Sequence, residues 1–243
     1  MVLNYFNYAI RLLIRNPLTT LIHVTGLTVG FGAFLMLWPY AEYELRSDQY
    51  HSDANRIARL AGELKWTDDD QVWKSLLSAF NNWGVAHEVA TTFPNVEAVT
   101  RIVAQINFNE RVHGLNNYLA ISTYDRSGNK NTYRETRAVL ADPNLFQFFS
   151  IPLLEGNAQN VLETSNSVVI SETLKKRYFG DGIAVGNTLY ANDSIMLQVT
   201  GVFQDIPHNS HLRFDMAISA AGKKGTDVPV WGGWDGYCYL TKE

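Results

Sequence analysis

The sequence has little cysteine, little charge, and no phosphate-cradling or metal-binding motif. One cysteine, Cys238, occurs in 243 residues. That excludes an internal disulfide, a Cys-x-x-Cys redox pair and a cysteine-rich zinc site, and with them a disulfide-stapled scaffold, while an extracytoplasmic location stays open. Charged residues make up 18%, against about 25% in ordinary soluble domains. The hydrophobic share of 46% is too high for a disordered chain. Acidic residues outnumber basic ones, 24 to 20, which argues against nucleic acid as a partner.

Catalytic motifs are missing as well. There is no Walker A, no G-x-S-x-G and no H-E-x-x-H. The glycines from Gly180 to Gly186 have the wrong spacing for a phosphate loop and lack its lysine. The run Asp68, Asp69, Asp70 lacks the loop pattern and terminal glutamate of a calcium site and reads as a solvated turn. His208 and His211 form the only close histidine pair. A zinc site needs at least one more ligand, and Pro207, Asn209 and Ser210 around the pair are turn formers. The sequence therefore nominates no catalytic residue, no cofactor and no metal site.

The longest absence is the most informative. From Asn16 to Ala41, 26 residues, there is no Asp, Glu, Lys or Arg. As a helix this run reaches roughly 39 Å, against about 30 Å of bilayer hydrocarbon. Pro17 suits a first helical turn, and the threonines can bond back to their own backbone. Arg11 and Arg15 precede the run and Glu42 and Glu44 follow it. The positive-inside rule then puts the N-terminus in the cytoplasm and the rest outside, with Trp38, Tyr40 and Tyr43 as an outer aromatic belt. Residues 4–15 have a helical apolar face that fits an interfacial helix. Gly26 and Gly30 form a G-x-x-x-G suited to close packing against another membrane helix. Two competing readings are a cleaved signal peptide and the core helix of a soluble protein. The apolar run is longer than a signal core and is followed by no A-x-A site, and its charge asymmetry disfavours a soluble core.

The 202 residues from Glu42 carry 18 basic and 24 acidic side chains and read as a mixed domain. Strands are expected at 56–66, 96–108, 118–124, 133–140, 167–170, 196–203, 214–219 and 237–241. Apolar spacing predicts a helix over 71–93, closed by Pro94. Asp125–Asn131 reads as a hairpin turn. Asp142 with Pro143 reads as a helix cap and first turn, the helix running through Phe149. Ser171 caps a further helix that ends in Lys175, Lys176 and Arg177 before Gly180. The elements do not alternate strictly, so the class is α+β. In Asp205–His211 the proline and the Asn209–Ser210 pair predict a structural turn, with Asp205 accepting backbone N–H bonds inside it.

Several segments taken in order resemble the N-terminal part of MacB-like, FtsX-family ABC transporter permeases. They are Ala9–Asn16 with Gly26–Gly30, then Glu44–Asp48 with Tyr50, His51 and Asn55–Ile57, then Phe93–Glu97 with Arg101. Asp142–Asn144 with Phe146 and Phe149 follows, then Ser167–Glu172 leading to Tyr178–Gly180. Last come Val199–Val202, Asp205–Pro207 and Asn209–His211, the most specific piece. Departures are Ala58, where an aromatic is usual, and Asn187, where a lysine is common.

The resemblance implies an interfacial helix at 1–16, a membrane helix at 17–43 and a two-lobed MacB-like periplasmic core domain at 44–243, its inserted lobe at about 105–198. It implies location in the bacterial inner membrane with the main domain periplasmic. It also implies contact with membrane lipid, and as partners a separate ABC ATPase subunit and other permease helices or a second permease copy. The role implied is mechanical, coupling ATPase-driven motion to export or to lipid and lipoprotein handling. Such permeases continue with at least three more membrane helices, so the chain is expected to be a truncated permease or an N-terminal piece of one. The alternatives are a membrane-tethered periplasmic binding or sensory module without transport, and an inactive truncated permease.

Overall fold

The structure, a computed structural model, describes residues 2–45, 51, 54–67, 73–78, 80–81, 84–104, 118–124, 127–222 and 236–242. Tyr50, the Asp68–Asp70 run, positions 105–108 and Asp125 with Arg126 lie outside the described residues. The chain divides into two compact units, Met1–Ser47 and Asp48–Glu243.

In the first unit α1 runs Val2–Arg15 and α2 Pro17–Leu45. Pro17 opens α2, where its missing N–H costs nothing. Thr25 and Thr28 donate their hydroxyls to Leu21 O and Val24 O, each at 2.7 Å, so these polar groups are satisfied within the helix. Thr20 Oγ1 donates to Leu13 O at 2.7 Å and ties the two helices across their junction. None of the residues of α2 is buried, although it is apolar over its whole surface. A helix of this kind needs a medium other than water.

The second unit is built on one large mixed sheet. Its strands are β1 Ile57–Arg59, β4 Phe80–Asn81, β5 Val96–Ala104, β6 Leu119–Tyr124, β7 Lys130–Glu135, β8 Ala138–Ala141, β9 Leu153–Glu155, β10 Ser167–Ser171, β11 Thr188–Ala191, β12 Ile195–Phe203, β13 Met216–Ser219 and β14 Gly236–Lys242. A separate hairpin joins β2 Gly62–Thr67 to β3 Trp73–Ser78. The main order is β1-β14-β5-β8-β13-β10-β12-β11-β6-β7, with β4 on β14 and β9 on β12. The β10–β12 and β8–β13 pairs are parallel and the others antiparallel.

The central strands are covered on both faces. Ala138, Leu140, Val168, Ile170, Met216 and Ile218 belong to one core cluster. Val139, Ala141, Val169 and Ala217, which alternate with them, belong to the other. Double burial explains why these strands read as continuous apolar runs and not as alternating patterns. Helix α5, Glu172–Phe179, presses Leu174, Tyr178 and Phe179 onto the first cluster. The short helix α4, Leu145–Phe148, anchors the second. There Phe146, Phe203 and Phe214 meet at centroid distances of 5.2–6.3 Å.

Three expectations are corrected. The helix expected over 71–93 is strands β3 and β4 followed by the helix α3, Val85–Thr92. A six-pair ladder from Gly62–Ser78 to Thr67–Trp73 overrides the local apolar spacing. The strand expected at 133–140 is two strands: β7 pairs with β6, and β8 lies between β5 and β13. The strand expected at 56–66 is broken at Leu60–Ala61 into β1 and β2, which join different sheets.

Candidate functional site

Two of the quoted segments are locked together by one ion pair. Arg101 on β5 donates from Nε to Asp142 Oδ2 at 2.8 Å and from Nη2 to Asp142 Oδ1 at 2.7 Å. Its backbone N–H reaches Oδ2 at 2.9 Å, and the N–H of Asp142 returns a bond to Arg101 O at 3.1 Å. The carboxylate thus accepts a planar fork and a backbone donor together, the strong form of such a pair. Asp142 was expected to cap a helix. Instead Asn144 holds the cap position without a side-chain bond, and its amide donates to Val99 O at 2.9 Å. The arginine on the neighbouring strand outcompetes the helix end for the carboxylate.

The Asp205–His211 segment works as a clamp. Asp205 Oδ1 accepts from Thr173 N at 3.1 Å and Oδ2 from Thr173 Oγ1 at 2.6 Å. Its partners are therefore at the start of α5, 32 residues away, and not inside its own turn. An anion there satisfies an orphan N–H and complements the helix dipole. Ser171, as expected, accepts from Leu174 N at 3.2 Å. Ser210 is buried and closes the turn, its N–H bonding Pro207 O at 3.0 Å and its Oγ accepting from Leu212 N at 3.1 Å. His208 and His211 are both exposed and line different cavities.

The larger of those cavities, about 370 Å³, is lined by His51, Ala54, Ile57, Arg59, Phe149, His211, Leu212 and Tyr239. The segment after the first unit, the end of α4, the clamp and β14 each contribute to it. His51 is buried and donates from Nδ1 to Phe149 O at 2.8 Å, its ring 5.1 Å from that of Phe149. The Phe149 ring in turn meets Tyr239 edge-on at 5.1 Å. A neighbouring cleft holds Arg56, Glu97, Asn144, Gln147, Phe148 and Thr241, with Arg56 and Glu97 paired. Segments far apart in sequence thus meet at one end of the sheet.

Other polar groups are structural. Glu135 is only 4% exposed. It accepts from Tyr178 Oη at 2.6 Å and from Arg177. Burial, reinforced by the Glu135 carboxylate, pushes the Tyr178 phenol well above the usual tyrosine range. Burial also pushes the Cys238 thiol up to about 11, so the single cysteine is a poor nucleophile. Among the described residues no group of three or more His, Cys, Asp or Glu is placed to hold a metal ion.

A family model described as the MacB-like periplasmic core domain matches residues 20–227. The chain belongs to that family. No curated protein matches the chain. Among solved structures, a domain assigned to a permease protein from Porphyromonas gingivalis is 22% identical, with a TM-score of 0.64, covering 79% of this chain and 75% of that one. The periplasmic region of MacB from Actinobacillus actinomycetemcomitans is 14% identical with a TM-score of 0.47, covering 68% and 66%. The first of these likenesses shows the fold, a mixed α/β domain, and the family match makes it one of the MacB-like periplasmic type, here following a long apolar helix.

The other residues singled out in the sequence belong to the first unit. Gly26 and Gly30 are on α2, and nothing lies within 4 Å of a Cβ at either. Arg11 and Arg15 are exposed on α1. Sequence reasoning missed the Arg101–Asp142 fork and the His51–Phe149 contact. Both link residues tens of positions apart, and no local period marks them. A lone arginine inside an apolar strand was the available signal for the first.

Proposed function

We propose that this MacB-like chain is a permease-type component of an ABC transporter. On this reading α2 spans the bacterial inner membrane, α1 lies on its cytoplasmic face, and the unit from Asp48 works in the periplasm. The observation that carries the reading is that the family match begins inside the apolar helix and runs on through the mixed domain. The unburied, charge-free stretch of α2 up to Ala41, led by Arg11 and Arg15 and followed within the helix by Glu42 and Glu44, supports the orientation. ATP hydrolysis belongs to a separate ATPase subunit, and the domain couples its motion to export or to lipid and lipoprotein handling. Gly26 and Gly30 serve as the packing face for other permease helices or a second permease copy.

The test is reconstitution in lipid nanodiscs with each ABC ATPase subunit of the source cell that lacks a fused permease. Co-purification of the chain with one of them, and an ATPase rate that changes when the chain is present, are the expected results. A set in which no ATPase binds the chain or responds to it overturns the proposal. The cavity of about 370 Å³ favours the second reading, a membrane-tethered binding module that works without transport.

A further inference from the structure

The cavity behind His51 has a chemistry that the mechanical role does not use. Its walls are apolar, from Ala54, Ile57, Phe149 and Leu212, with the ring of Tyr239 beside them. Its polar groups are Arg59, His51 and His211, and among the described lining residues none is acidic. That bias runs against the composition of the region from Glu42, where acids outnumber bases 24 to 18. Arg59 and His211 are exposed, whereas His51 and Phe149 are buried. Arg59 and His211 thus stand at the mouth of the cavity, and its depth is apolar and aromatic. The Nδ1 proton of His51 is committed to Phe149 O, which holds the imidazole as part of the wall. At about 370 Å³ it sits at the small end of the ligand-cavity range, roughly 300–1,000 Å³, with room for one acyl chain and not two.

We infer that this cavity binds an anionic amphiphile, with a single acyl chain against Ile57, Phe149 and Leu212 and its carboxylate or phosphate held by Arg59 and His211. An arginine fork suits both head groups, and burial of methylenes supplies the affinity. The source is a free fatty acid or the head-proximal chain of a bilayer phospholipid. A bilayer source rests on the proposal that α2 spans a membrane, which places His51 six positions beyond the end of a spanning helix.

The experiment uses the full chain in nanodiscs and two photoactivatable probes, a diazirine-bearing dodecanoate and a diazirine-bearing phosphatidylglycerol. Labelled peptides are mapped by mass spectrometry. One or both probes should label the peptides holding Phe149, Leu212 or Tyr239, and excess dodecanoate should compete where dodecanol does not. Labelling by dodecanoate marks a free acid as the source, and labelling by the phospholipid alone marks the bilayer. Leu212→Trp, which fills the cavity, and Arg59→Glu, which reverses its charge, should each cut that labelling about tenfold. Both variants should keep the wild-type melting temperature, with Arg59→Gln as the milder control. Unlabelled cavity peptides, labelling that the folded variants leave unchanged, or equal competition by dodecanol overturns the inference. Labelling of α2 by the phospholipid probe is read separately. Its absence contradicts the membrane-spanning reading and leaves the cavity result to stand or fall on its own.

Discussion

Two residues carry disproportionate weight, and both are testable by substitution. The Asp142 carboxylate is nearly buried and meets the Arg101 fork and a backbone N–H. Removing one partner strands the other in a poor dielectric, which for buried pairs costs on the order of 3–5 kcal/mol. Asp142→Ala should therefore lower stability by about 3 kcal/mol in urea unfolding, while Arg101→Met with Asp142→Leu together should cost less than the sum of the single changes. Cys238 is 2% exposed, and burial raises its thiol from 9.0 to about 11. The folded state then holds this proton more tightly than the unfolded state. Its contribution is fully present below pH 9.0 and is lost as pH rises through about 11. A loss of roughly 2–3 kcal/mol follows across that window. The raised Tyr178 phenol has the same sign. Alkylation of Cys238 at pH 8 should be slow in the native chain and fast in denaturant. Native reactivity equal to that of a free thiol contradicts the burial.

At the scale of elements, α5 is held at its start by Ser171 and by Asp205 from the far side of β12. Asp205→Ala should cost about 1–2 kcal/mol, the usual worth of a helix cap with a charge-assisted bond. His208→Ala, at an exposed turn, should stay within about 0.5 kcal/mol. His211 is exposed too, and its substitution should show in the cavity experiment more than in stability. Gly156 has φ +96°, and a Cβ there meets Thr200 O at 2.7 Å. Gly156→Ala should therefore destabilise by about 2–4 kcal/mol in the same urea series, since both strain and overlap oppose it.

Elements that the sequence made legible share one property: their signal is local. The charge-free run became α2, the Ser171 cap and basic last turn became α5, and the β-branched runs became β10 and β12. What was illegible depends on partners distant in the chain. Residues 73–78 form a strand because 62–67 lie beside them. Asp142 leaves its expected cap because Arg101 is on the next strand. Of the candidate site, the Asp205–His211 turn was readable from Pro207, Asn209 and Ser210. The cavity that His211 helps to line was not, because Phe149, Tyr239 and Arg59 converge on it only in the folded sheet.

At the scale of the whole molecule, two units with different surfaces follow each other in one chain. The first exposes a long, predominantly apolar helix, and the second buries two cores on either side of a mixed sheet. The proposed function depends on a bilayer lying between the N-terminus and the second unit. Cysteine accessibility tests this most directly. In a Cys238→Ser background, one variant carries Ser194→Cys on the β11–β12 turn and another a cysteine inserted after Met1. A membrane-impermeant maleimide is added to intact spheroplasts. Labelling of Ser194→Cys without lysis, and of the N-terminal cysteine only after lysis, is the expected result. The reverse pattern, or labelling of both in intact spheroplasts, contradicts a spanning α2 with its domain outside.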